Sequence, residues 1–168
     1  MWTLLIVRIF SKFRPVLLIF WAILAGLAGC SSDNSSSDSS LPEMSSYEME
    51  IFNLINQHRT SIGLKDLVFD GNIQVYAAEH SRNMAAKVVE FGHDGFDDRA
   101  AKIIQAIQAK SVAENVAWGQ NSAEQLVQSW LDSPGHRKNI EGEFDRASLS
   151  AVKSSENRWF YTQMFAAL

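Results

Sequence analysis

The chain has 168 residues, which is enough for one domain of ordinary size and hardly for two. Its formal charge is −4, and without the three basic residues that precede Cys30 there remain 12 basic against 19 acidic residues. An acidic chain without a basic stripe repels phosphates, so we expect no nucleic acid partner. Because Cys30 is the one cysteine, an internal disulfide and a thiolate metal cluster are excluded.

Residues 1–29 have the pattern of a secretory signal. Three basic residues precede the apolar run Pro15–Ala28, whose 14 residues are fewer than the about 20 that a membrane-spanning helix needs. The alternative is an uncleaved membrane anchor, because Trp2–Phe10 is also largely apolar and would lengthen the span.

The end of this segment, Leu27-Ala28-Gly29-Cys30, resembles a bacterial lipobox. The resemblance implies that Cys30 is lipidated, with acyl chains such as palmitate, and becomes the new N-terminus of a protein facing outward from a membrane. More than one acyl chain gives stable anchoring. Ser31 follows the cysteine in place of Asp, which favours the outer membrane if the host has two membranes. Residues 30–45 are serine-rich and nearly free of apolar side chains, which predicts a tether.

Four helices are predicted after the tether. Ser45-x-x-Glu48 has the pattern of a capping box, and Gly63 suits the end of the helix that it opens. Asp70, Asp97 and Ser122 are candidate N-caps for three more helices. The inward faces of the first and last helices are predicted from apolar spacing as Tyr47, Ile51, Leu54 and Ile55, and as Ala123, Leu126, Val127 and Trp130.

The C-terminal part of the chain changes to strand-like alternation. Residues 149–151 and 158–165 alternate, with a turn predicted at 154–157, and residues 113–118 form a further candidate strand. Helices first and strands late predict an α+β domain with an antiparallel sheet.

The stretch Ser133–Ile140 places a histidine at a helix stop. Pro134 cannot continue the preceding helix, and Gly135 can adopt the left-handed conformation that often ends one. His136 therefore either points into a site or caps the C-terminus of the preceding helix.

Two further polar positions accompany His136. His93 lies in a glycine-rich loop, and Glu114 lies in an apolar run, where a carboxylate is costly unless it is paired. A His–Glu–His set can bind a divalent metal or perform acid–base chemistry. The alternatives are a loop histidine at 93 and, for Glu114, a structural carboxylate that accepts bonds from backbone N–H groups. His58 and His80 lie on helical faces, where we expect them to pack or form hydrogen bonds.

Taken together, these motifs resemble the CAP domain, also called the SCP domain, of cysteine-rich secretory, antigen 5 and pathogenesis-related proteins, in its short bacterial branch. The resemblance implies a three-layer α-β-α sandwich with a small antiparallel sheet. It covers the predicted domain at 46–168 through Asn56-x-x-Arg59, His80-x-x-x-Met84, Phe91-x-His93-Asp94, Glu114-Asn115, Trp130–Ile140 and Tyr161–Phe165.

The family cleft carries two His and two Glu and binds Zn²⁺ or another divalent cation in some members. By this resemblance, His93 matches the first His and Glu114 the first Glu, whereas Ser133 and Phe160 stand in place of the second Glu and the second His. We therefore expect at most a three-ligand site for Zn²⁺ or another divalent cation, formed by His93, Glu114 and His136.

The resemblance also implies a monomeric, non-enzymatic binding module in the cell envelope whose ligand is a sterol, a lipid or an envelope protein. The alternative is a hydrolase, such as a peptidase, that uses His93, Glu114 and His136 with or without a metal. Against catalysis, no Ser or Cys nucleophile lies beside a base in a recognisable motif, and HExxH is absent from the sequence. A purely structural envelope protein is a third alternative.

Overall fold

The computed structural model describes residues 41–168, so the predicted signal segment and the lipidation of Cys30 lie outside the described residues. No helix in the described part is long and apolar enough to cross a membrane. The elements, in chain order, are α1 (Ser46–Ser61), β1 (Val68–Phe69), α2 (Gly71–Ala85), α3 (Phe96–Ile107), β2 (Ser111–Trp118), α4 (Ala123–Asp132), α5 (Pro134–Ile140), β3 (Arg146–Lys153) and β4 (Trp159–Ala167).

A four-stranded sheet in the order β1-β3-β4-β2 forms the middle layer. β4 pairs antiparallel with both β2 and β3, as the sequence predicts. The short β1 pairs in parallel with the start of β3 and was not predicted, because two residues carry no measurable alternation. Helices cover both faces, which confirms the α+β class and the three-layer α-β-α sandwich.

The two faces of the sheet carry separate hydrophobic cores. On one face, Tyr161 and Phe165 of β4 pack with buried residues of α1, α4 and α5. On the other face, Met164 and Ala166 pack with buried residues of α2 and α3. Alternation along one central strand thus supplies both cores. Because both faces are covered within 46–167, this part contains what it needs to fold by itself.

The ends of the helices mostly follow the sequence signals. Ser45 and Glu48 form the predicted capping box, Gly63 follows α1 with a φ of 84°, and Asp70 and Ser122 cap α2 and α4. The predicted cap at Asp97 is wrong: α3 begins at Phe96 after Gly95, whose φ is 75°. Only glycine adopts that conformation at little cost, and Asp97 lies instead in the first turn, where its charge favours the helix N-terminus.

The predicted role of Pro134 needs a correction. The break lies at Ser133, which is extended with φ −92° and ψ 116° because the residue before a proline avoids the helical region. Pro134 then opens α5 at its first position, and Gly135 is helical rather than left-handed. His136 therefore belongs to the first turn of α5, and its assignment as a cap of α4 is wrong.

The Asn56-x-x-Arg59 motif joins α1 to two loops. Asn56 donates to and accepts from the backbone of Leu67, at 3.0 and 2.9 Å. The buried Arg59 donates to the carbonyls of Ile140 and Gly142, at 2.6 and 2.9 Å, and to that of Lys65 at 2.9 Å. These bonds satisfy backbone carbonyls at the C-terminal end of α5 and fix the loop before β1.

Candidate functional site

Glu114 is a buried carboxylate whose two oxygens are both bound. Its side chain is 1% exposed, although it lies on the edge strand β2. Arg99 donates from Nε to Oε2 and from Nη2 to Oε1, each at 2.9 Å. Nδ1 of His93 donates to Oε1 at 2.9 Å. The prediction that Glu114 needs a partner is confirmed, and the partners are two side chains rather than backbone N–H groups.

Arg99 is the site residue that the sequence analysis missed. It extends from the first turns of α3 and also donates from Nη1 to the carbonyl of Asp94 at 2.8 Å. One signal was available, because Arg99 precedes the buried Ile103 by four residues and so shares its inward face. An acidic residue in an apolar strand, together with a basic residue on the inward face of a neighbouring helix, indicates a buried ion pair.

His93 presents its other nitrogen outward. The loop between α2 and α3 positions this residue, and its side chain is 52% exposed. Because an ionised carboxylate only accepts, the proton shared with Glu114 belongs to Nδ1 of His93. Nε2 is then the ring nitrogen without a bond to Glu114, on a side chain that is half exposed.

His80 supports the same loop from α2. Its Nε2 donates to the carbonyl of Gly92 at 2.8 Å, beside His93. Burial lowers the pKa of His80, so the neutral ring is the form that serves as this donor. The predictions for His80 and His58 are confirmed, because His58 binds Glu141 at 2.9 Å.

His136 lies in the first turn of α5, beside Trp130. Its ring centroid is 6.4 Å from that of Trp130. Burial lowers the pKa of His136, and the charge of His93 lowers it further. In the described part of the chain, no hydrogen bond joins the His136 ring to Glu114; the backbone carbonyl of His136 accepts from Asn115 at 3.2 Å.

The side chains around Glu114 bear on the predicted metal centre. Among residues 41–168, no three His, Cys, Asp or Glu side chains are placed to share a metal ion. The cation beside Glu114 is the guanidinium of Arg99. His93 and Glu114 meet as predicted, but the set does not fit a three-ligand centre with His136. The binding of Zn²⁺ or another divalent cation stays a prediction.

Two asparagines fix α5 against β2. Asn139 donates to the side-chain oxygen of Asn115 at 2.9 Å and to the carbonyl of Glu114 at 3.2 Å. The carbonyl of Glu114 points away from β4, so this bond covers part of the open edge of β2. Asn139 is therefore structural, because it holds α5, which carries His136, against β2.

A groove of about 260 Å³ adjoins this network. Its aromatic lining comes from the rings of Phe91, Trp118 and Trp130. Ser133 and His136 contribute polar groups at the start of α5. In the part of the chain that the structure describes, no hydroxyl is hydrogen-bonded to the ring of His93 or His136, so no serine or threonine nucleophile is paired with either base.

Comparison with known proteins agrees with this geometry. Residues 52–165 match the cysteine-rich secretory protein family, CAP. The uncharacterized protein YkwD of Bacillus subtilis is 31% identical over 149 residues, which cover 84% of this chain and 55% of that protein. This chain therefore spans only about half the length of that relative.

Solved structures show the same fold. An extracellular protein with an SCP domain from Bacillus anthracis has a TM-score of 0.61 at 28% identity, over 73% of this chain and 40% of that one. An outer surface protein from Borrelia burgdorferi has a TM-score of 0.61 at 20% identity, over 74% of this chain and 96% of that one. The chain belongs to the CAP family of cysteine-rich secretory proteins and carries its SCP domain.

Proposed function

We propose that this protein is an extracytoplasmic lipoprotein whose CAP domain binds a ligand in the groove without catalysis. The observation that carries the proposal is the state of Glu114, whose two oxygens are engaged by Arg99 and His93. A carboxylate that is held in this way and is only 1% exposed positions Arg99 and His93 and is itself shielded from a substrate in solution.

The groove supports an apolar or amphipathic ligand. Ligand sites are mostly apolar, with a few polar groups that fix orientation. Here aromatic rings line the groove while His136 and Ser133 supply the polar contacts. A sterol, a lipid chain or an apolar segment of an envelope protein meets these requirements, and the monomeric domain is the binding unit.

The location rests on the N-terminal motif and on the relatives. The lipobox-like end at Cys30 favours a lipid anchor in a membrane, facing outward. The similar proteins of Bacillus anthracis and Borrelia burgdorferi are described as extracellular and as an outer surface protein. Cys30→Ser is expected to release the protein from membranes; retention would indicate that the apolar segment stays as an anchor.

Binding is tested with purified residues 41–168 and a panel of fluorescent fatty acids and sterols. Ser133→Phe fills the groove and is expected to lower affinity at least about tenfold, or about 1.4 kcal/mol. Lys138→Phe is the matched control, because it places the same ring on an exposed position of α5. Equal affinity of both variants, or no binding by the parent domain, contradicts the proposal.

Hydrolysis is the second candidate, favoured by the oriented imidazole of His93 with Glu114 behind it. Turnover of a peptide or ester library that is lost in His93→Ala would establish it and overturn the non-catalytic proposal. Zn²⁺ is added in the same assays. A rise in melting temperature that disappears in the His93→Ala, His136→Ala double variant would establish the metal centre.

A further inference from the structure

One end of the sheet carries an exposed apolar surface. Val88, Phe91 and Trp118 are 70%, 45% and 44% exposed. The rings of Phe91 and Trp118 meet edge to face at 6.1 Å between centroids. Large apolar side chains that are exposed and in contact, as Phe91 and Trp118 are, mark an interaction site more often than scattered ones do, and the exposed Val88 lies three residues before Phe91. We call these three residues the apolar end.

Cationic side chains lie at the same end of the sheet. Arg158 lies over the ring of Trp118 at 4.5 Å, and Lys153 lies over that of Trp159 at 5.1 Å. Lys87, next to Val88, forms an ion pair with Glu156. Three cations thus gather at one end of a protein whose sequence after Cys30 has 12 basic and 19 acidic residues. Counted with Glu156 and the exposed Glu90 beside Phe91, this end carries three positive and two negative charges, a formal +1, against a formal −7 for the sequence after Cys30.

We propose that the apolar end docks onto an anionic lipid surface. Tryptophan and phenylalanine rings suit the boundary between head groups and acyl chains. Lysine and arginine place their aliphatic stems along apolar surface while their charged ends reach phosphates. Juxtamembrane cations are attracted to anionic lipids in the same way. Arg158 over Trp118 has this arrangement already.

The predicted anchor makes a lipid surface the favoured partner, so this inference rests on the proposed lipidation of Cys30. Ten residues, 31–40, separate Cys30 from Leu41, and ten residues span at most about 33–36 Å. A short tether raises the effective concentration of a second contact to the millimolar range. A small patch therefore suffices for docking in the anchored protein.

Docking also bears on the groove. Phe91 and Trp118 belong both to the apolar end and to the lining of the groove. An apolar ligand then moves between the lipid surface and the groove without crossing water, which is the arrangement that a lipid-binding module needs.

Residues 41–168 contain no cysteine, so single cysteines can be labelled cleanly. An environment-sensitive dye is attached at Val88→Cys and, as the matched control, at Val68→Cys. Val68 is 51% exposed and lies at the opposite end of the sheet, where β3 begins. Vesicles of phosphatidylglycerol and phosphatidylethanolamine at about 1 mM lipid, the concentration range that a short tether provides, are expected to shift the dye at 88 to the blue and not the dye at 68.

Charge reversal tests the ionic part. Lys153→Glu with Arg158→Glu is expected to reduce the shift at position 88 at least about fivefold, whereas Lys110→Glu with Arg146→Glu, at the opposite end, leaves it unchanged. No shift at 88, an equal shift with phosphatidylcholine vesicles, or a shift with soluble envelope proteins alone would overturn the proposal. The soluble domain lacks Cys30, so failure here is distinct from failure of the lipid anchor, which the fractionation of Cys30→Ser reports.

Discussion

Two buried arginines have different roles in this domain. Arg59 in α1 donates to backbone carbonyls that belong to the loops around β1 and α5. Arg99 in α3 instead grips both oxygens of one carboxylate, that of Glu114. The bonds of the first cluster end in backbone carbonyls around an Arg59 that is 2% exposed, whereas the second continues into His93, whose ring is half exposed.

The difference shows how to separate a structural charge from a site. Arg59 donates hydrogen bonds to backbone carbonyls at the ends of secondary-structure elements, and its network extends no further. The network of Arg99 and Glu114 ends instead in an oriented, half-exposed imidazole. A buried charge that positions an exposed group is therefore a stronger functional signal than burial alone.

The largest expected effect on stability is that of replacing Arg59. Arg59→Met leaves at least three carbonyls without their donor, and we expect it to lower the free energy of unfolding by about 3–5 kcal/mol. Urea denaturation of residues 41–168 measures it. Arg82→Met is the control, because Arg82 is exposed on α2. Equal stability of the two variants would show that the bonds of Arg59 do not stabilise the domain.

Substitutions of Arg99 and Glu114 are expected to lower the free energy of unfolding by less, and their effects are expected to depend strongly on each other. Arg99→Met leaves a buried carboxylate and is expected to cost about 3 kcal/mol at neutral pH. Glu114→Gln leaves the less buried guanidinium and is expected to cost less. The double variant is expected to cost about 1–3 kcal/mol less than the sum of the two, because neither charge is left alone. Additive costs in denaturation would show that the pair is not coupled.

The smallest expected effect is a pH dependence at His80. Burial lowers the pKa of His80, partly offset by its bond to Gly92, and Arg99 lowers it further; Glu114 and His93 are the other charged groups that act on it. Below about pH 6.5, the unfolded chain therefore binds more protons at His80 than the folded domain does. The free energy of unfolding is highest above this pH and falls as the pH is lowered through it.

His80→Gln keeps a donor for Gly92 without a titrating ring. Between about pH 7 and pH 5, the parent domain is expected to lose stability more steeply than this variant, by at most about 1.4 kcal/mol per pH unit. Denaturation curves across this range measure the slopes. Parallel slopes would mean that His80 does not titrate differently in the folded domain.

The sequence predicted the elements whose signals are local. The caps at Ser45, Asp70 and Ser122 and the stop at Gly63 depend on neighbouring residues, and the structure confirms them. The two errors at helix boundaries, at Asp97 and Pro134, came from residues that suit more than one position of a helix end. Proline is disfavoured inside a helix but favoured at its first position, and only the packing of α5 against β2 decides between the two.

By itself, the sequence determined the need of Glu114 for a partner, because the cost of a buried charge is a property of the chain, and its motifs carried the resemblance to the family to which the chain belongs. Only the tertiary structure decided which partner that is. Arg99 lies 15 residues before Glu114, and the packing of α3 beside β2 brings the two together. The fold likewise decided that the His136 ring lies beside Trp130, a neighbour that spacing along the chain did not single out. Contacts between elements depend on how their surfaces pack, and spacing along the chain does not record this.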